Sequence, residues 1–557
     1  MSRQGKKGFR IIINDDFDSH LEYNQELFDL WGRTAATAFS LNIGADLANY
    51  PSKARATLGE SLRAAHEEGK LPGEWGKHWY EFLVAEKKDP IAIAIEGCRR
   101  NGMEIFTSLR MNDIHHGADP EHPVLRLLIS PFWREHPEFR AKGWERAKDE
   151  EFKGEYPEYN KERWDRRAWA SYSFEHAEVR QRVLDVVREV SERYDIDGFD
   201  LDYSRQPPFF DRGRGYECRH HMTELVREAR RILDEAGKKK GKRIKLAAPC
   251  RPTIRKSEKV GLDAGAWVKE GLVDILMPGQ DAGSGTDFLL EEFLELAKGT
   301  RTEICPNIDN VAWPGVTANI YVDAAVLRAA AMRCHKGGAQ GLQLFNFFTI
   351  NERGHFCTQL FKEGLFSEIG EAREIEHKDK FYIFRQGLPV ALTSGKVPEA
   401  MEDRGNYWLS LPLDRRVPPP MSGRKSKGRA EYRFNIADDI EEGRASGIVS
   451  EQRLSFSIAH AGPKDEIRFT LNGEAVAPEA MQREYRDGHP LPAYAYFPPY
   501  MYYEIDLAKV RDVRNGWNTL GIEAVRLDDG SQPNERFRGL DAVFYDIELL
   551  VKYGGKV

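Results

Sequence analysis

The chain has little cysteine, no dominant charge and no long apolar run, and each shortage removes a class of protein. Six cysteines are scattered over 557 residues: Cys98, Cys218, Cys250, Cys305, Cys334 and Cys357. With no C-x-x-C and no close pair, neither a zinc knot nor a disulfide framework is expected. No stretch approaches the ~18 unbroken apolar residues of a membrane-crossing helix. The net charge is −7, with 31% charged residues, which argues against a dedicated nucleic-acid binder and its basic face. The basic run Lys238–Lys242 falls between a helix pattern and a strand pattern and reads as a solvated turn. The start, M-S-R-Q-G-K-K-G-F-R-I-I-I-N, lacks an apolar segment before its first strand. A secretory signal is therefore not expected, and a cytoplasmic location is the default.

What is present points to two domains. The length exceeds one ordinary core, and 41% hydrophobic residues can fill more than one. Up to about residue 370 a unit recurs: a short apolar strand, polar residues at its end, then an amphipathic stretch. Strands are expected at 9–13, 37–41, 104–109, 198–203, 244–248, 273–277, 303–305 and 341–345. Val179, Val183, Val186, Val187 and Val190 give a helical stripe before the fourth strand. Eight strands alternating with helices predict an α/β fold, a (β/α)8 TIM barrel, whose site forms from the loops at the C-terminal face. A doubly wound sheet would show a Gly-rich turn after its first strand, and Asn14-Asp15-Asp16 is the opposite kind of sequence. The segments 52–88 and 116–169 are expected as long, aromatic-rich loops that either wall a cleft or anchor to the barrel. After residue 372 the pattern becomes all-β, with Asn472-Gly473 a hairpin signal. The expected division is a barrel over 1–372 and a β-sandwich over 373–557.

The most informative stretch is Tyr194–Phe210, Y-D-I-D-G-F-D-L-D-Y-S-R-Q-P-P-F-F. On a strand, Asp200 and Asp202 share one face while Phe199, Leu201 and Tyr203 share the other. Two carboxylates on the inner face are costly unless paired or used. The alternative is that both are structural, bonding nearby Arg or backbone N–H groups.

The segment Phe174–Arg205, with Glu175-His176-Ala177-Glu178-Val179-Arg180 and then Asp197–Tyr203, resembles the fourth-strand region of the glycosyl hydrolase-like 10 group of bacterial glycosidases. The C-terminal segments F-T-L-N-G, Y-E-I-D-L and G-W-N-T-L resemble galactose-binding-like sandwiches. The resemblance implies hydrolysis of a glycosidic bond by two carboxyl groups. Asp202, nearer the strand's end, is the expected nucleophile or base, with Asp200 supporting it from below. Asp281 after strand six is the leading acid, with Asp309 and Asp113 as rivals. Arg110, Asn112, Arg205, Arg251, Gln280, Asn307, Asn346, Asp15, Asp16 and His115 are candidate sugar-binding groups. Arginines at three strand ends suit an anionic sugar, or they pair with Asp200 and Asp202. The expected partner is a carbohydrate, not a nucleic acid or a membrane, with no cofactor and no metal. A metal reading of Asp113, His115 and His116 meets the objection that adjacent histidines do not share a strand face and no H-E-x-x-H spacing occurs. The competing functions are a non-catalytic carbohydrate binder on a degenerate barrel and a metal-dependent hydrolase.

Overall fold

The computed structural model describes residues 8–15, 25–117, 120–144, 168–205, 208–279, 285–286, 288–312, 320–347, 364–384, 390–391, 429–491, 495–497, 499–526, 528, 533 and 542–554. Its first part is a ring of parallel strands. Arg10–Asp15, Ala38–Asn42, Glu104–Arg110, Gly198–Asp202, Lys245–Cys250 and Ile275–Pro278 lie side by side in chain order. They are strands one to six. Gly341–Phe345, strand eight, pairs with the other edge of strand one.

Strand seven closes the ring in two halves. Glu303–Ile304 pairs with strand six, and Asn307–Asp309 pairs with strand eight. Pro306, which has no N–H to donate to a ladder, sits at the break. The result is the expected (β/α)8 barrel, with helices such as Ala177–Arg193, Gly215–Lys240 and Ala324–Gly337 around it. The valine stripe of Ala177–Arg193 is buried, as its spacing predicts.

Inside the ring the side chains form tiers. At the N-terminal end Arg10 pairs with Glu104 and Glu303, and Lys245 with Glu104. Above this plug Ile12, Ala38, Phe106, Ala247, Ile275, Met277 and Cys305 form a dry layer. Gly198 has no side chain because a Cβ there would sit 2.1 Å from the Phe106 ring. Above the dry layer the inner face turns polar.

The segment 52–88 is a correction to the expected loop. It folds into helices Leu58–Glu67 and Gly73–Tyr80, and Trp79 is buried in the core. The signal was present: Thr57 and Glu60 make a reciprocal capping box, and Leu58, Leu62 and Ala65 are the buried stripe. In the segment after strand three the described tryptophans act as anchors, and Trp164 lies outside the described residues. The indole N–H groups of Trp133, Trp144 and Trp169 donate to the carbonyls of Ala170, Phe210 and Gly117 at 2.8, 3.2 and 3.0 Å.

The C-terminal region is antiparallel. One sheet holds Lys380–Phe384, Val543–Tyr553, Val449–Ala459, Tyr500–Asp506 and Met481–Arg486, with Val390–Ala391 added beside Val543–Tyr553. The other holds Arg429–Ile436, Gly516–Arg526, Glu466–Leu471 and Glu474–Ala475. The sheets share a core in which the Phe469 ring lies 5.0 Å from Phe456 and 4.8 Å from Tyr503. Asn472 and Gly473 both take positive φ, 52° and 94°, which is the hairpin turn this pair favours.

Candidate active site

Strand four carries the centre of the site. All five of its residues are buried. Its register with strand three sets Ser108 beside Asp200 and Arg110 beside Asp202. Alternation sends Phe199 and Leu201 into the core between ring and helices, so Asp200 and Asp202 take the inner face. The Ser40 hydroxyl donates to Asp200 Oδ2 at 3.2 Å, and Asp200 Oδ1 is enclosed without a hydrogen-bond partner. Burial first, then the charge of Asp202, holds the Asp200 carboxyl well above the usual carboxylate range. The protonated form of Asp200 is therefore favoured beneath Asp202. Asp202 accepts the backbone N–H of Ser204 at 2.8 Å, which fixes the carboxylate at the strand's end.

A chain of polar groups crosses the mouth from strand four to strands eight and seven. Arg205 Nη2 donates to Asn346 Oδ1 at 2.8 Å, and Asn346 Nδ2 lies 3.5 Å from Asp309 Oδ1. The Arg205 guanidinium also lies over the Phe345 ring, 5.2 Å from its centroid. Asn346 has φ 58°, a left-handed conformation that asparagine tolerates better than most residues. One tier lower, Asn307 Nδ2 donates to Gln343 Oε1 at 2.9 Å.

A second cluster follows strand three. Arg110 Nη1 donates to Asp113 Oδ2 at 2.9 Å, and His115 Nδ1 contacts Asp113 Oδ1. Burial would raise the Asp113 carboxyl, but His115 and Arg110 overcome it and hold the group well below the usual range. Burial lowers the His115 imidazole against the pull of Asp113, and Arg205 and Arg110 push the same way. His115 is therefore close enough to feel both mouth arginines.

Other candidates are engaged within the fold. Asn112 bonds the backbone of Tyr172 and the carbonyl of Pro208. Arg251, 1% exposed, donates to the carbonyls of Tyr203 and Ser204 and braces the turn that carries Asp202. Asp15 is buried at the end of strand one on the face shared with Ile11 and Ile13, whereas Asn14 follows Ile12 on the inner face. Asp16, Gln280 and Asp281 lie outside the described residues. Among the described residues no group of three or more His, Cys, Asp or Glu is arranged to hold a metal ion, and no helix is long and apolar enough to cross a membrane.

The sequence reading missed Asn14, Ser40, Ser108 and Gln343. Each sits in a strand, and the available signal was parity: each lies an even number of residues from an inward neighbour such as Ile12, Ala38, Phe106 or Gly341.

No known family's sequence profile matches the chain, and no curated protein matches it. Similar solved structures exist. A chitinase from Paenibacillus sp. str. FPU-7 is 9% identical, with 94% of this chain and 53% of that one covered and a TM-score of 0.38. An endo-beta-1,4-mannanase from Thermotoga petrophila is 10% identical over 98% and 99% of the two chains, with a TM-score of 0.39. A GH18 chitinase from Pseudoalteromonas aurantia is 10% identical over 64% and 99%, with a TM-score of 0.33. The chain thus spans about half the length of the Paenibacillus enzyme.

Proposed function

We propose that this protein is a glycoside hydrolase, with a catalytic barrel over 1–372 and an accessory sandwich over 373–557. The observation that carries the reading is the stacked pair on strand four, a carboxylate at the mouth above a second carboxyl whose protonated form is favoured. Such a pair is expensive to maintain inside a barrel unless the upper group is used. Asp202 acts as nucleophile, or as the base that activates water. A second carboxyl on another strand protonates the leaving oxygen, because two groups on one strand cannot flank a scissile bond. Asp281 keeps that role in our reading. Asp309, tied to Arg205 through Asn346, is its rival; Asp113, held ionised by His115 and Arg110, is the weaker one, because an acid must carry the proton it gives.

Exchange of each rival for the amide, assayed on a panel of oligosaccharides, decides among them. The acid is the one whose loss abolishes turnover of sugar-leaving-group substrates while sparing substrates with activated leaving groups, which need no protonation. Should all three variants retain full activity, the two-carboxylate mechanism is wrong as assigned. An accessory role for the sandwich predicts that deleting sugar contacts there weakens binding of long glycans without lowering kcat on short ones.

A further inference from the structure

Below the mouth the barrel interior carries a second polar feature. In a barrel of this kind alternate strands supply the four side chains of one interior layer. Following the register round the ring puts Ser40, Asp200, Met277 and Gln343, from strands two, four, six and eight, in one layer. It rests on the dry layer, and Met277 packs into both. Strands four and eight stand opposite each other in the ring, so Asp200 and Gln343 point at the barrel axis from opposite sides. Asn307, on strand seven, joins them from one step higher through its bond to Gln343.

Three polar atoms at this level are enclosed with no hydrogen-bond partner in the protein: Asp200 Oδ1, Gln343 Nε2 and Asn307 Oδ1. Their residues are 1%, 0% and 1% exposed. The Ser108 hydroxyl stands beside Asp200 in register without bonding it. Buried polar groups are as a rule paired, with protein or with ordered water. The Ser40 hydroxyl donates to Asp200 Oδ2. In the protonated form favoured here the acid proton is therefore on Oδ1, facing the axis. The three groups are then an O–H, an N–H and a carbonyl oxygen. One water molecule satisfies them all, accepting from the two donors and donating to the acceptor, and about three bonds is what a buried water makes. Turning both amides over leaves the same complement, one N–H and one carbonyl oxygen, so the match is independent of their orientation. The two donors oppose a cation, and the depth of burial keeps a substrate group out.

We propose that Asp200, Gln343 and Asn307 bind one ordered water molecule on the barrel axis, and that the two amides are positioning residues that fix the Asp200 proton through it. Asp200 is thereby held as the neutral floor beneath Asp202. The water site stands on the layer geometry and holds whether or not the chain is a glycosidase.

A high-resolution crystal structure of the full chain should show a water peak on the axis, about 3 Å from each of the three groups. In solution, the protonated Asp200 carboxyl should give an infrared carbonyl band that Asp200→Asn removes. Gln343→Leu and Asn307→Leu each delete one bond to the water and should shift that band, and either serves if the other does not fold. Met277→Leu, in the same layer but with no bond to the water, should leave the band in place. A dry axis, or a peak coordinated as a cation, would overturn the proposal. So would a band that is missing from the native chain, or one that moves no further in the amide variants than in Met277→Leu.

Discussion

Asp200 and Asp202 stand two residues apart on one strand, and their difference in depth gives them different work. Asp200 has a raised carboxyl, so its protonated form stabilises the fold. Above the unfolded-state value the unfolded chain loses this proton while the folded chain keeps it, so stability falls as pH rises towards the raised folded value. Asp200→Asn imitates the protonated acid. The variant should therefore gain melting temperature relative to the native chain as pH rises from 4 to 8, and a pH-independent difference would contradict the assignment. Asp113 has the opposite sign. Its lowered carboxyl contributes stability that is present above the ordinary carboxylate range and is lost as pH falls through and below that range. Asp113→Asn should then lose most at neutral pH and converge with the native protein in acid, as a pH series of melting curves will show.

At the scale of the element, strand eight and its last turn hold the mouth together. Asn346 combines a left-handed backbone with the side chain that meets Arg205. Asn346→Gly should keep the backbone at little or no cost in stability but release Arg205, raising KM. Asn346→Val should lose both and cost roughly 1–3 kcal/mol by denaturant titration. Equal stability of the two variants would contradict the cost assigned to the left-handed backbone at Asn346. Strands were legible in the sequence because barrel strands are short apolar runs with polar ends, and strand eight falls at the expected 341–345. The break in strand seven was less legible: only Pro306 marked it, and the ladder extends beyond it to Asp309. The helices in 52–88 were hidden because charged residues between Leu58, Leu62 and Ala65 dilute a stripe that i, i+4, i+7 spacing and capping still reveal. The pairing of Asp200 and Asp202 could be read from alternation alone. The engagement of Asn112 and Arg251 could not, because their partners are backbone atoms 96 and 48 residues away at the far ends of other loops.

Across the whole molecule, a buried knot ties together the two antiparallel sheets beside the barrel. Lys380 Nζ, fully buried, lies 2.8 Å from Asp438 and donates to the carbonyls of Glu376 and Lys378 at 3.0 and 2.9 Å. The hydroxyls of Tyr382 and Tyr553 donate to the same carboxylate. Beside the knot, the Thr286 N–H on the barrel side donates to the Ile383 carbonyl, and the Ile383 N–H donates to the Thr286 hydroxyl. Asp438→Ala would strand a buried ammonium and should cost about 3–5 kcal/mol, read as a lower denaturant midpoint. An unchanged midpoint would mean that the ion pair is dispensable to the junction.

The central claim is that Asp202 does chemistry. The most direct measurement compares the native chain with Asp202→Asn for sugar release from a broad panel of oligo- and polysaccharides, with circular dichroism and melting temperature as controls on folding. The account predicts a hydrolysed substrate for the native chain and a loss of at least about 10²-fold in kcat for the variant, with its fold intact. Full activity of a folded Asp202→Asn on that substrate would contradict it.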